Sequence, residues 1–148
     1  MDNGYSVSAM QKEDLEPALA LWRATPGIGL HDDSDSPEAL RAYLRRNPDL
    51  SVVARDSAGQ LVGAVLCGHD GRRGYLHHLA VAEPMRSRGI ARALVAECLT
   101  GLRRRGIPKC NAFVISSNSE GRAFWQRLGW VERDDLELAQ KSTGGEGE

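Results

Sequence analysis

The sequence has little cysteine: three residues in 148, at Cys67, Cys98 and Cys110. The odd number and the lack of short-range pairing argue against a disulfide framework or a cysteine-based zinc site. They point instead to a reducing, cytoplasmic setting. No apolar run approaches the ~20 residues needed to cross a bilayer. The opening stretch, MDNGYSVSAMQKEDLE, has neither the basic n-region nor the apolar h-region of a secretory leader. No charge of one sign dominates either: 19 lysines and arginines face 20 aspartates and glutamates, for a net charge of −1. That balance excludes a bulk binder of nucleic acid or of an anionic membrane surface. His31 and His69 fall in loop-like stretches too scattered to suggest a metal site, and no internal repeat is visible.

What is present is an ordinary globular balance of 41% hydrophobic and 26% charged residues. A chain of this length makes one domain, expected over residues 1–140, and buries ~70% of its unfolded surface. Residues 141–148 form a polar tail expected to be disordered. The charge is not spread evenly. Residues 1–70 hold 6 basic and 11 acidic side chains, a balance of −5, and residues 71–148 hold 13 basic and 9 acidic, a balance of +4. A basic second half suits an anionic ligand, and an acidic first half suits a cationic one.

Periodicity places the elements. Tyr5 to Ala9 alternates as a short strand. Leu15, Ala18, Leu19 and Trp22 recur at helical spacing, with Pro17 tolerated in the first turn. Ser36-Pro37-Glu38 starts a second helix that Asn47-Pro48 stops. Leu50–Arg55 and Gln60–Cys67 read as a hairpin, and Tyr75–Val81 as a third, mostly apolar strand. Ile90–Arg105 is the most strongly amphipathic helix, with Gly106 as its left-handed cap. Cys110–Ile115 reads as a buried strand, and Ser117 with Glu120 as a capping box for a helix to Leu128. Arg133–Ala139 reads as a last strand. Antiparallel strands first and strand–helix–strand crossovers later predict an α/β (α+β) fold: a mixed, mostly antiparallel sheet with helices on both faces.

The junction after the third strand carries the chemistry. Arg86-x-x-Gly89-x-Ala91 opens the long helix directly after an apolar strand. The N–H groups of a helix N-terminus lack intrahelical partners and carry partial positive charge, which suits phosphate. Arg86, Arg88 and Arg92 can add charge-assisted bonds. Neither a G-x-G-x-x-G nor a Walker P-loop is present to bind phosphate otherwise.

These residues resemble the GNAT acyltransferase superfamily. Leu79-Ala80-Val81, Pro84 and Arg86-Ser87-Arg88-Gly89-Ile90-Ala91 are similar to its acetyl-CoA motif. Asn118, Phe124 and Leu128-Gly129-Trp130 are similar to its second cofactor motif, and the element order matches from Tyr5 to Ala139. Gly68-His-Asp-Gly71-x-Arg73-Gly is most similar to small stand-alone bacterial members. The resemblance implies an N-acetyltransferase using acetyl-CoA as co-substrate, without a metal, on the primary amine of a small molecule or a peptide. It implies direct attack in a ternary complex, and it leaves a homodimer open. It implies that the cofactor enters where Tyr75–Val81 and Cys110–Ile115 splay apart, with Leu79, Ala80, Val81, Arg86, Ser87, Arg88, Gly89, Ile90, Ala91, Asn118, Phe124 and Trp125 around it.

One position departs from the family. Members often carry tyrosine seven residues after the asparagine matched by Asn118, and Trp125 stands there. An indole N–H donates a hydrogen bond but is no proton source near neutral pH. Trp125 is therefore expected to pack on the pantetheine end while water or another side chain protonates the leaving thiolate. For a general base, His77 and His78 are candidates, because histidine is the side chain whose ordinary titration lies near physiological pH. Strand alternation sends them to opposite faces, with His77 sharing a face with Tyr75, Leu79 and Val81. Glu83 is a third candidate, and a surface charge at a turn is its simpler reading. Asp32, Asp33 and Asp35 border the acceptor site in the family and could draw a cationic amine; singly they read as a solvated loop. Trp22, Phe113 and Trp130 read as core, and the three cysteines as buried thiols. A catalytically weak acyl-CoA-binding or sensing module is the alternative. A DNA-associated protein is disfavoured by the net charge and would show a steep salt slope.

Overall fold

The computed structural model describes residues 4–144; residues 145–148 of the expected tail lie outside them. The chain forms two compact units, Met1–Ile115 and Ser116–Glu148. The first holds a sheet of β1 (Tyr5–Ala9), β2 (Val52–Asp56), β3 (Leu61–His69), β4 (Gly74–Val81) and β5 (Cys110–Ala112), in that spatial order. The first four strands run antiparallel, and β5 joins β4 in parallel. The sheet is thus mixed and mostly antiparallel, as the pattern predicts. Helices α1 (Leu15–Arg23), α2 (Pro37–Arg46) and α3 (Ile90–Arg104) complete this unit, and α4 (Ser119–Arg127) belongs to the second.

Local chemistry sets the boundaries. The Ser36 hydroxyl accepts from the Ala39 N–H at 3.1 Å and caps α2, with Pro37 in the first turn. Asp56 Oδ1 accepts from the N–H groups of Ala58 and Gln60 and closes the β2–β3 turn. Asp70 Oδ1 does the same for Arg72 and Arg73 at the β3–β4 turn. Gly106, at φ +77°, ends α3 in the left-handed region, and the Ile107 N–H returns to the Leu102 carbonyl at 3.0 Å.

The two faces of β3 meet different helices. A Cβ on Gly68 would strike Asn47, just past α2, whereas one on Gly63 would press on Ile90 and Leu94 of α3 at 3.2 Å. Leu15, Ala18, Leu19, Trp22 and Leu40 pack with Val53, Ala64, Leu66 and Ala80 on the first face. On α3, Ile90, Leu94, Val95, Cys98 and Leu102 are buried, the stripe its spacing predicts. No helix among the described residues is long and apolar enough to cross a membrane.

Several sequence expectations are corrected. β5 stops at Ala112 rather than Ile115 and is half-exposed rather than buried, with Phe113 58% and Ile115 55% exposed. Its only partner among the described residues is β4, which it accompanies for just three residues. Phe113 is therefore not core, and Cys110 is only partly buried, while Trp22, Cys67 and Cys98 are fully inside. Residues 133–139 form no strand: Arg133 pairs with Asp135 across a turn, and Leu136 and Leu138 are exposed. Alternation alone does not make a strand where no edge is paired with it. The cap of α4 is Asn118, whose Oδ1 accepts from the Gly121 N–H at 3.0 Å, rather than Ser117.

Leu94 is fully buried between α3 and the sheet. Leu94→Ala is expected to lower unfolding stability by about 2–5 kcal/mol, read as a shifted urea midpoint at unchanged slope.

Candidate functional site

The site begins with a fault in β4. Ala64 pairs with Ala80 and Leu66 with His77, so two steps along β3 match three along β4. The extra residue is a β-bulge, and His78 takes it up at φ +59°, a region that side chains other than glycine rarely occupy. The bulge overturns the alternation expected for the two histidines. Tyr75 and His77 lie opposite Gly68 and Leu66, on the α1/α2 face. His78 reaches the same side, its ring 5.2 Å from that of Trp22. Val81, paired with Gly63, turns to the α3 face, so it does not share the side of His77.

The two imidazoles have different surroundings. His77 sits in a ladder of rings: Tyr75 at 6.4 Å and Phe113 at 6.0 Å are nearly parallel to it, and Tyr43 meets it edge-on at 6.4 Å. Burial, and then the neighbouring His78, hold its pKa below the usual histidine value, with Asp35 opposing weakly. His78 Nε2 lies 2.8 Å from Asp35 Oδ1. Asp35 is 9% exposed, and its Oδ2 accepts from the His31 N–H at 2.8 Å. Of the three acidic loop residues, Asp32 and Asp33 face solvent and Asp35 is turned inward with both oxygens engaged. Trp22 is fully buried, and its indole N–H is without a hydrogen-bond partner among the described residues.

After Leu76 the parallel pairing of β4 with β5 ends. From His77 to Val81 the β5-facing edge of β4 has no strand partner among the described residues, which leaves the separated strand pair that the resemblance implies. β4 then leads into a turn in which Ser87 (φ +66°) and Gly89 (φ +83°) are both left-handed. Gly89 is the N-cap of α3, and a Cβ there would meet nothing nearer than the Tyr5 hydroxyl at 4.0 Å. Ser87, Arg88 and Gly89 are exposed, while Ile90 is buried under the sheet. Arg86 donates from Nε to the Val81 carbonyl at 3.0 Å and ties the turn to the strand. Exposed amides at a helix N-terminus with cationic neighbours fit a phosphate-bearing group. Glu83 is exposed in the short 3₁₀ turn after β4.

In the second unit, Trp125 packs on Trp130 at 4.6 Å and edge-on to Phe124 at 5.2 Å. Arg122 and Glu132 pair across an exposed surface through two bonds of 3.0 and 3.1 Å. No group of three or more metal-ligating side chains occurs among the described residues.

Residues 16–130 match the Acetyltransferase (GNAT) family. The chain belongs to that family. It is an acyltransferase-class enzyme, and it is 30% identical over 135 residues to an acetyltransferase of Sodalis glossinidius, covering 91% of this chain and 93% of that relative. Its fold is similar to that of the PaiA N-acetyltransferase of Thermoplasma acidophilum in complex with coenzyme A. The TM-score is 0.77 at 21% identity, over 90% of this chain and 92% of that one. It is also similar to AAC(6′)-Iy in complex with the bisubstrate analogue CoA-S-monomethyl-acetylneamine, with a TM-score of 0.73 at 21% identity, over 93% and 98% of the two chains.

The GNAT resemblance was legible in the Arg86–Ala91 and Asn118–Trp130 motifs. The His78–Asp35 contact was not: 43 residues separate the partners, and no spacing signals it. The place of Phe113 in the ring ladder was missed for the same reason.

The depressed pKa of His77 has a consequence for folding. The unfolded chain binds a proton below the usual value of 6.5, where the folded state resists it. Stability from this group is therefore complete above that value and is lost as the pH falls through and below it. His77→Phe is expected to flatten the fall of the urea midpoint between about pH 7.5 and 5; an unchanged pH slope would contradict the assignment.

Proposed function

We propose that the protein transfers an acetyl group from acetyl-CoA to a primary amine by direct attack in a ternary complex. One strand carries the reading. β4 loses its parallel partner after Leu76 and then runs, through Val81, into the left-handed turn that opens α3. The turn is suited to an anionic phosphate, and the unpaired edge of β4 is suited to an extended pantetheine arm. Acetyl-CoA would supply the activated thioester. Backbone N–H groups within Leu79–Val81 would polarise its carbonyl, and confinement of both reactants would supply much of the rate.

The amine nitrogen forms the new C–N bond as the thioester C–S bond breaks. The proton released by nitrogen passes to a base on the α1/α2 face, where the bulge gathers His77 and His78. CoA departs as the thiolate. Glu83 is exposed at a turn and is the weaker candidate for the base. The exposure of Asp32 and Asp33 in the acidic loop supports a part for them in attracting a cationic acceptor. The geometry of the turn and the family motif together support Arg86, Ser87, Arg88, Gly89, Ile90 and Ala91 as cofactor contacts. For Asn118, Phe124 and Trp125 the support is the family motif alone.

Amine-dependent release of free thiol from acetyl-CoA, measured across a panel of small-molecule amines, polyamines and peptide N-termini, tests this function. Turnover with at least one amine class is expected. Acetyl-CoA binding without amine-stimulated thiol release would favour the acyl-CoA-binding module, a reading that the replacement of a phenol by Trp125 keeps alive.

Trp125→Phe removes the indole N–H and keeps an aromatic ring. It is expected to retain turnover within about threefold, since no proton comes from the indole. Loss of turnover at unchanged cofactor affinity would show that Trp125 takes part in the chemistry.

A further inference from the structure

We infer that Asp35 and His78 form a catalytic dyad: Asp35 is a positioning residue that holds the proton on His78 Nε2 and presents His78 Nδ1 as the base that deprotonates the acceptor amine. The inference rests on the acetyl-transfer reading above and selects one of its two histidines.

The argument starts with the hydrogen bond. An ionised carboxylate only accepts, so a 2.8 Å contact between Asp35 Oδ1 and His78 Nε2 requires the proton on Nε2. A neutral imidazole protonated at Nε2 carries its free lone pair on Nδ1. The carboxylate is itself fixed. Its Oδ2 accepts from the His31 N–H, and the Asp35 N–H returns to the His31 carbonyl, both at 2.8 Å. Ser36, the next residue, caps α2 and anchors the segment from the other side. A buried carboxylate held by two donors is costly to leave half-satisfied, so the pair is mutually enforced.

His78 is also held in an unusual backbone state. It occupies the bulge at φ +59°, and its ring packs on the buried ring of Trp22. Strain of this kind at a non-glycine residue is costly and concentrates where a side chain must be aimed. The groups facing His78 are Asp35 from the α1–α2 segment, His77 from its own strand and Trp22 from α1. Of these, only Asp35 bonds to it. His77, in contrast, is wedged among Tyr75, Phe113 and Tyr43, and burial disfavours its cation. A general base must accommodate the proton it takes, and the buried carboxylate offers that to His78.

In the reaction, the acceptor's nitrogen gives its proton to His78 Nδ1 and its electron pair to the acetyl carbon. The thioester C–S bond breaks, and CoA leaves as the thiolate. Asp35 stays ionised and stabilises the imidazolium.

The dyad is tested with acetyl-CoA and an amine the wild-type protein accepts. His78→Gln and Asp35→Asn are each expected to lower kcat about 10²-fold, with KM for acetyl-CoA unchanged within about twofold. The double variant should lose no more than the worse single one, because the two residues act as a unit. The acidic limb of the kcat/KM profile should disappear in His78→Gln. Activity of Asp35→Asn within about threefold of wild type, multiplying losses in the double variant, or a retained acidic limb in His78→Gln would each overturn the proposal.

A second readout needs neither turnover nor a folded variant. In ¹⁵N spectra of the wild-type protein, neutral His78 should be protonated at Nε2, and a proton on Nδ1 would overturn the dyad. If no amine is acetylated at all, the proposed function fails while this spectrum still judges the dyad.

Discussion

The bulge in β4 is the constraint on which the rest of the site depends. One extra residue, taken up at His78, shifts every later position of the strand against β3. It brings two consecutive histidines to the same face, where a regular strand would separate them. It also re-phases Ala80 and Val81, so that Ala80 joins the α1/α2 core and Val81 the α3 side. Parallel pairing with β5 stops immediately before it, at Leu76. Remove the bulge, and His78 leaves Asp35 and Trp22 while the register of β4 shifts by one.

The near-zero net charge conceals a local arrangement. The basic excess of the second half includes Arg86, Arg88 and Arg92 around the start of α3, where the helix dipole adds to their field. Arg86 spends one donor on the Val81 carbonyl, so its first effect is to fix the turn rather than to wait for a ligand. The acidic excess of the first half includes Asp32, Asp33 and Asp35, which lie together in sequence but not in role. Two face water, and the third is inside the protein, bonded to β4. An acidic run is thus a poor guide to which carboxylate acts on solvent and which organises the interior.

The elements that the sequence made legible are those whose signals are local. The stripe of α3, the Ser36 cap, the Asp56 and Asp70 turns and the left-handed Gly106 each come from residues within a few positions of one another. The Arg86–Ala91 turn was legible for the same reason. What escaped depends on partners distant in sequence. Residues 133–139 alternate as a strand should, yet alternation describes a side-chain pattern and does not supply a neighbouring edge. β5 is shorter than its apolar run because its length is set by where β4 ceases to accompany it. The bulge has no signature at all: His77-His78 looks like any strand pair until the register with Ala64 and Leu66 is known.

Two adjacent histidines invite a choice of base, and burial alone does not make it. Both rings are partly covered and both lie on the face that α1 and α2 cover. The distinction is in what each could do with a proton. Around His77 the neighbours are ring faces and edges, which weaken its hold on positive charge by displacing water without replacing it. Around His78 the displaced water is replaced by a carboxylate that is itself anchored at its second oxygen. An apolar wall and a fixed anion, side by side, separate the behaviour of two otherwise identical groups. The stacking of Tyr75 and Phe113 on His77 and the bonding of Asp35 to His78 thus divide one face of the strand into an apolar half and a charged half.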